Sequence, residues 1–120
     1  MNTPQPTNFN PRTESLKYFK TWSKNDSTLL KGLFADDIVL QDWDNKATGI
    51  KEVLEANDAI FAGVESIEAK ALSVDAFGVK AYCDLEVLVK AEGTVSKILV
   101  LDIITFDENG KIKSIRAYKG

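Results

Sequence analysis

The stretch VKAYCDLEVLVKA, residues 79–91, alternates. Val79, Ala81, Cys83, Leu85, Val87 and Val89 share one parity; Lys80, Tyr82, Asp84, Glu86 and Lys90 share the other. Successive side chains of a strand point to opposite faces, so this segment is predicted to be a half-buried β-strand. A half-buried strand needs neighbours, and turn signals supply them on both sides. Phe77-Gly78 ends a strand read over residues 65–76, and Glu92-Gly93-Thr94 leads into another over 95–106. Asn109-Gly110, a strong hairpin dipeptide, leads into a last strand over 111–119.

The N-terminal half has a different period. Over residues 13–24, Leu16, Phe19 and Trp22 recur at helical spacing, with Ser15 and Tyr18 beside them and Thr13 as the expected cap. Asp26 is placed to cap a second, short helix carrying Leu29, Leu30, Leu33 and Phe34, closed by Asp36 and Asp37. Residues 38–44 read as a strand, and DNKATG (44–49) as a turn. Residues 49–62 read as a third helix with an apolar stripe of Ile50, Val53, Leu54, Ile60 and Phe61, on which Asn57 also falls. Helices followed by hairpins give an α+β fold: three N-terminal helices on a strongly curved, mostly antiparallel sheet. Such a sheet encloses a concave cavity, the usual place for a small-molecule site.

Composition narrows the chemistry. At 120 residues and 44% apolar, the chain is sized for one domain with a real core. Residues 1–12, polar and rich in Pro and Asn, read as a flexible arm rather than a signal peptide, leaving 13–120 as a single domain. The net charge is −3 with no basic cluster, so no nucleic-acid partner is expected. The apolar runs are too short to span a membrane, so no membrane partner is expected either. The lone Cys83 cannot form an internal disulfide, which fits a reducing, cytoplasmic setting. Histidine is absent. That removes Ser-His-Asp and Cys-His chemistry and the commonest zinc ligand, so neither a metal nor an organic cofactor is expected. Proton transfer falls to Asp, Glu, Tyr, Lys or Cys.

Two aspartates face the wrong way. Asp102, within ILVLDIITF (98–106), shares a face with Ile98, Val100, Ile104 and Phe106 and has no Lys or Arg within four residues. Asp42 shares a face with Ile38 and Leu40 near a strand end, where water reaches it. Burial disfavours a carboxylate, so Asp102 is expected to be a neutral acid that donates a hydrogen bond. Two carboxyls in such different settings form an acid/base pattern. Each also has a structural reading: Asp102 could bond backbone or Arg116 on the next strand, and Asp42 could cap the DNKATG turn. Tyr18 beside Phe19 and Trp22 could be packing with a polar tip. Lys111, Lys113 and Lys119 look like a solvated edge.

From Tyr18 to Trp43 the chain resembles the start of a bacterial ketosteroid isomerase, within the SnoaL-like and NTF2-like superfamily. LFADD (33–37), with Asp42 five residues later, matches the opening, and DENGKIKSIRAYKG (107–120) resembles the closing hairpin. The resemblance implies a cone-shaped α+β fold and a homodimer packed through the sheet. It also implies roles. Tyr18 and a protonated Asp102 would form an oxyanion hole, and Asp42 would be the base. A neutral carboxylic acid in this role is the general example known for ketosteroid isomerase. Asn57 stands near where the isomerases carry a further tyrosine, and Trp43 comes after the base where they often have proline. The expected pocket wall is Trp22, Trp43, Asn57, Val100 and Ile104, around an apolar small molecule. The expected activity is cofactor-free proton transfer next to a carbonyl. The alternatives are a SnoaL-like cyclase or a non-catalytic binding or dimerisation domain.

Overall fold

The computed structural model describes residues 9–120. Helix α1 (Pro11–Trp22) starts two residues before the expected point. Its cap is Asn10, not Thr13: Asn10 Oδ1 accepts from the amides of Arg12 (2.9 Å) and Thr13 (3.3 Å), and Pro11 fills the first helical position. The Phe9 ring packs 5.5 Å from that of Phe106. Residues 9–12, expected in the arm, therefore belong to the fold; residues 1–8 lie outside the described residues.

The buried face of α1 is Ser15, Tyr18 and Phe19, with Trp22 half-buried, while Leu16 is exposed. This shifts the stripe expected from Leu16, Phe19 and Trp22 and puts a phenol where an aliphatic was expected. Asp26 caps the segment after α1 as expected, but that segment forms two 3-10 turns, Ser27–Leu29 and Lys31–Leu33, rather than one short helix.

Strand β1 (Phe34–Gln41) begins earlier than the sequence suggested. Asp36 and Asp37 do not close the helical unit; both are exposed within the strand, where the register to its neighbour shifts. Adjacent exposed residues break the period-2 pattern, as at a bulge, and imitate a terminator. β2 (Lys46–Thr48), expected as turn, pairs back antiparallel on Val39–Gln41. Helix α2 (Ile50–Ala62) and strands β3 (Ser66–Phe77), β4 (Lys80–Ala91), β5 (Thr94–Phe106) and β6 (Ile112–Lys119) fall where their patterns placed them.

The six strands form one sheet in the order β2-β1-β6-β5-β4-β3. Among the described residues, only β1 and β6 pair in parallel. The helical segments cover one face of this curved, mostly antiparallel sheet, the expected α+β architecture. At one end the space between the layers is filled by Leu30, Ile38, Ile104, Phe106 and Ile112, all essentially without solvent exposure. The end of α1 also caps the start of the free edge of β3. Asn25 donates to the Ile67 carbonyl (2.7 Å) and accepts from its amide (3.0 Å), and Ser23 Oγ accepts from the Ala69 amide (2.9 Å).

Candidate active site

At the other end the layers part around a cavity of about 280 Å³. Its wall is mostly apolar and includes Leu85 and Val87 of β4, Ile98 and Val100 of β5, and Ala117 of β6. The oxygen-bearing groups on the wall come from three separate places: Tyr18 from α1, Asp42 from the end of β1, and Asp102 from β5. The three expected catalytic residues are thus brought to one hollow.

Strand pairing explains the isolation of Asp102. Its register partners are Cys83 on β4 and Ala117 on β6, and neither carries charge to offer. Arg116 is paired with Ile103, one residue out of step, and so lies on the opposite face. The side chain that could have paired with Asp102 is therefore turned away from it. With 8% of its surface exposed, Asp102 is pushed up to about 7, first by burial and then by the charge of Asp42. Burial also drives the Tyr18 phenol well above its ordinary value, and Asp102 and Cys83 add to the effect. The Cys83 thiol is pushed up to about 12 by burial and by Asp102, opposed by the Ser15 hydroxyl beside it. Ser15 Oγ is wholly buried and has no nitrogen or oxygen partner among the described residues.

Asp42 does cap its turn. Its Oδ1 accepts from the amides of Asp44 (2.8 Å) and Asn45 (2.6 Å), which fixes the carboxyl's orientation. Its Oδ2 has no hydrogen-bond donor among the described residues. The structural and the chemical readings are therefore compatible, one oxygen for each.

Trp22, Trp43, Asn57 and Val100 lie on the cavity wall as expected. Ile104 does not: it is 0% exposed and belongs to the packed end. Asn57 is on the wall but already occupied. Its Oδ1 accepts from Trp22 Nε1 (2.8 Å), and its Nδ2 donates to the Val53 carbonyl (2.9 Å). It clamps α1 to α2 and holds the Trp22 indole in place. Trp43 is 46% exposed and forms part of the rim. Sequence reasoning missed Ala117 and Ser15. Ala117 could have been found by pairing β5 with β6 through the Asn109-Gly110 turn, which places a small residue opposite Asp102. Among the described residues no group of three or more potential metal-binding side chains forms. Among the described residues no helix is long and apolar enough to cross a membrane.

The profile of the SnoaL-like domain matches residues 16–115. The chain belongs to the SnoaL-like family. Solved structures agree on its fold. A LEH-like epoxide hydrolase of M. tuberculosis shares 14% identity, with a TM-score of 0.80 over 92% of this chain and 82% of that one. The epoxide hydrolase/cyclase-like enzyme SalBIII, described in pyran ring formation in salinomycin, shares 17%, with a TM-score of 0.81 over 92% and 90%. A protein of ketosteroid isomerase-like fold from Catenulispora acidiphila, in complex with trimethylamine, shares 16%, with a TM-score of 0.80 over 88% and 83%. At such identities the likeness is one of fold. A search of curated proteins finds no match. This SnoaL-like domain thus places two buried acidic groups and a turn-held carboxylate around one apolar hollow.

Proposed function

We propose that this SnoaL-like domain moves a proton next to a carbonyl group of an apolar small molecule without a cofactor. One observation carries the reading. Tyr18 and Asp102 are both buried residues on the cavity wall, and neither side chain has a protein hydrogen-bond partner among the described residues, where Ser15 Oγ is the one fully enclosed polar atom left without a partner. Their oxygens therefore keep access to the hollow, where a ligand can supply the partner. Both are neutral donors when protonated, and an oxygen that gains negative charge is the acceptor they suit.

In this mechanism Asp42 Oδ2 takes the proton from the carbon beside the carbonyl. The carbonyl oxygen becomes an enolate oxygen, and Tyr18 Oη and the neutral Asp102 carboxyl donate hydrogen bonds to it. Protonated Asp42 then returns the proton to a different carbon, which completes an isomerisation. The mostly apolar wall lowers the local dielectric, which strengthens both hydrogen bonds. Closing an enolate onto a second carbonyl of the same substrate, a cyclisation, uses the same three groups. The cavity of about 280 Å³ is at the small end for ligand sites and suits a compact substrate.

The protein acts as a homodimer in this reading. Tyr82, Leu99 and Leu101 are exposed on the sheet face away from the helices, and a second copy would cover them. A buried thiol with no partner cysteine fits the cytoplasm.

The test is a titration with phenols of graded acidity, monitored by tryptophan and ligand fluorescence. The expected result is selective binding of phenolates, weakened by Tyr18→Phe and by Asp102→Leu and altered by Asp42→Asn. Binding that ignores all three substitutions would leave a ligand-binding or dimerisation domain instead.

A further inference from the structure

Where β1 stops at Gln41, β6 continues past its last partner, Arg116, as far as Lys119. Those last residues of β6 have no strand beside them on that side. The chain leaving β1 turns off through Asp42 and Trp43. Between the two lies a notch of about 280 Å³ lined by Gln41, Asp42, Trp43, Arg116, Tyr118 and Lys119. It shares Asp42, Trp43 and Ala117 with the cavity, so it stands at the cavity mouth.

The notch has a distinct charge. Arg116 and Lys119 both line it, yet neither forms an ion pair among the described residues, where the single ion pair is Lys97–Glu86. Each lies over an aromatic ring: the Arg116 guanidinium is 5.7 Å from the Tyr118 centroid, and the Lys119 ammonium is 6.0 Å from that of Trp43. The ring face attracts the cation and the stem rests on apolar surface, which narrows the positions each head can take. The acid in the notch, Asp42, has one oxygen already held by two backbone amides. Two cations and one carboxylate line the notch, so in a chain of net charge −3 its lining carries a net positive charge.

The geometry points to an anion subsite here: the notch takes a carboxylate or phosphate at one end of the molecule whose apolar body fills the cavity. Guanidinium and ammonium donors match such oxyanions, and Arg116 can offer two parallel N–H groups. The ligand class is thereby narrowed from apolar to amphipathic. This inference rests on the reading of the cavity as a ligand site.

Two probes separate the two ideas. Naphthol tests the cavity alone; a hydroxynaphthoate, with its phenol and carboxylate on opposite rings, tests cavity and notch together. Both are titrated into the intact protein by fluorescence at low and at high salt. The hydroxynaphthoate is expected to bind about fivefold tighter than naphthol at low salt, with the advantage shrinking at high salt because the cations are exposed. Arg116→Gln with Lys119→Gln should abolish the advantage and leave naphthol affinity unchanged. Lys113→Gln, an exposed cation on the same strand outside the notch, should keep it. If naphthol binds but the carboxylate adds nothing, or if its advantage survives the double substitution, the subsite is overturned and the cavity reading stands. If neither probe binds, the cavity reading falls and the subsite with it.

Discussion

The two ends of the space under the sheet are built from the same strands and came out differently. On β5, Ile104 and Phe106 fill one end completely, whereas Val100 and Asp102, on the same face, border a hollow at the other. On β6, Ile112 is fully packed, Ile115 borders the hollow, and Ala117, level with Asp102, leaves space. One end is made for cohesion. At the other, two substitutions in kind, an acid and a small residue, forgo packing and leave polar groups looking for partners. What separates a core from a site in this molecule is which side chains occupy the inward positions, not the backbone that carries them.

Substitutions at each end can break that contrast. If turnover is found, Asp42→Asn should lower it most, by about 10²–10⁴-fold, since it removes the general base. Tyr18→Phe or Asp102→Leu should each cost about 10²-fold, one oxyanion donor apiece. Steady-state rates on an activated ketone would show both, with little loss in fold stability. At the packed end the effects invert. Phe106→Ala should cost about 3–5 kcal/mol and Ile104→Ala about 2–5 kcal/mol in urea unfolding, with phenolate affinity unchanged. Equal losses of binding at both ends would erase the distinction.

Acidity sharpens it further. The unfolded chain releases the Asp102 proton near pH 4, and the folded chain holds it to about 7. Between these values the folded state carries the extra proton, so stability falls as pH rises and levels off above about 7. The whole effect is on the order of 4 kcal/mol, about three pH units at 1.4 kcal/mol each. Denaturation at pH 5 and pH 8 should show it, and Asp102→Asn should flatten the curve and be the more stable form at pH 8. The smallest expected effect is at the helix start. Asn10→Ala should cost about 1 kcal/mol in thermal or urea unfolding, while Thr13→Ala should cost less, because Asn10 is the cap.

The sequence made the C-terminal half legible because strand alternation and glycine turns are local signals. Asp102 stood out for the same reason: its parity and the absence of nearby charge can both be read along the chain. The N-terminal half was harder. A stripe at three-residue spacing does not say whether Leu16 or Tyr18 faces inward; the sheet beneath α1 decides that. Asp36 and Asp37 looked like an end because a bulge and a terminator share residue types. β2 is three residues long with a single buried side chain, Ala47, too little pattern to read. The Trp22–Asn57 bond joins residues 35 apart, and nothing in either neighbourhood announces it.

Asn25 and Ser23 have a bearing on solubility. An outermost strand such as β3 offers unsatisfied amides and carbonyls to any passing chain, the starting template for fibrous growth. Here two short side chains from the helix end occupy those places at Ile67 and Ala69, so the first part of the strand is protected from within the molecule. Replacing both with alanine would free these backbone groups on an outermost strand, and a rise in light scattering with protein concentration would report the lost protection.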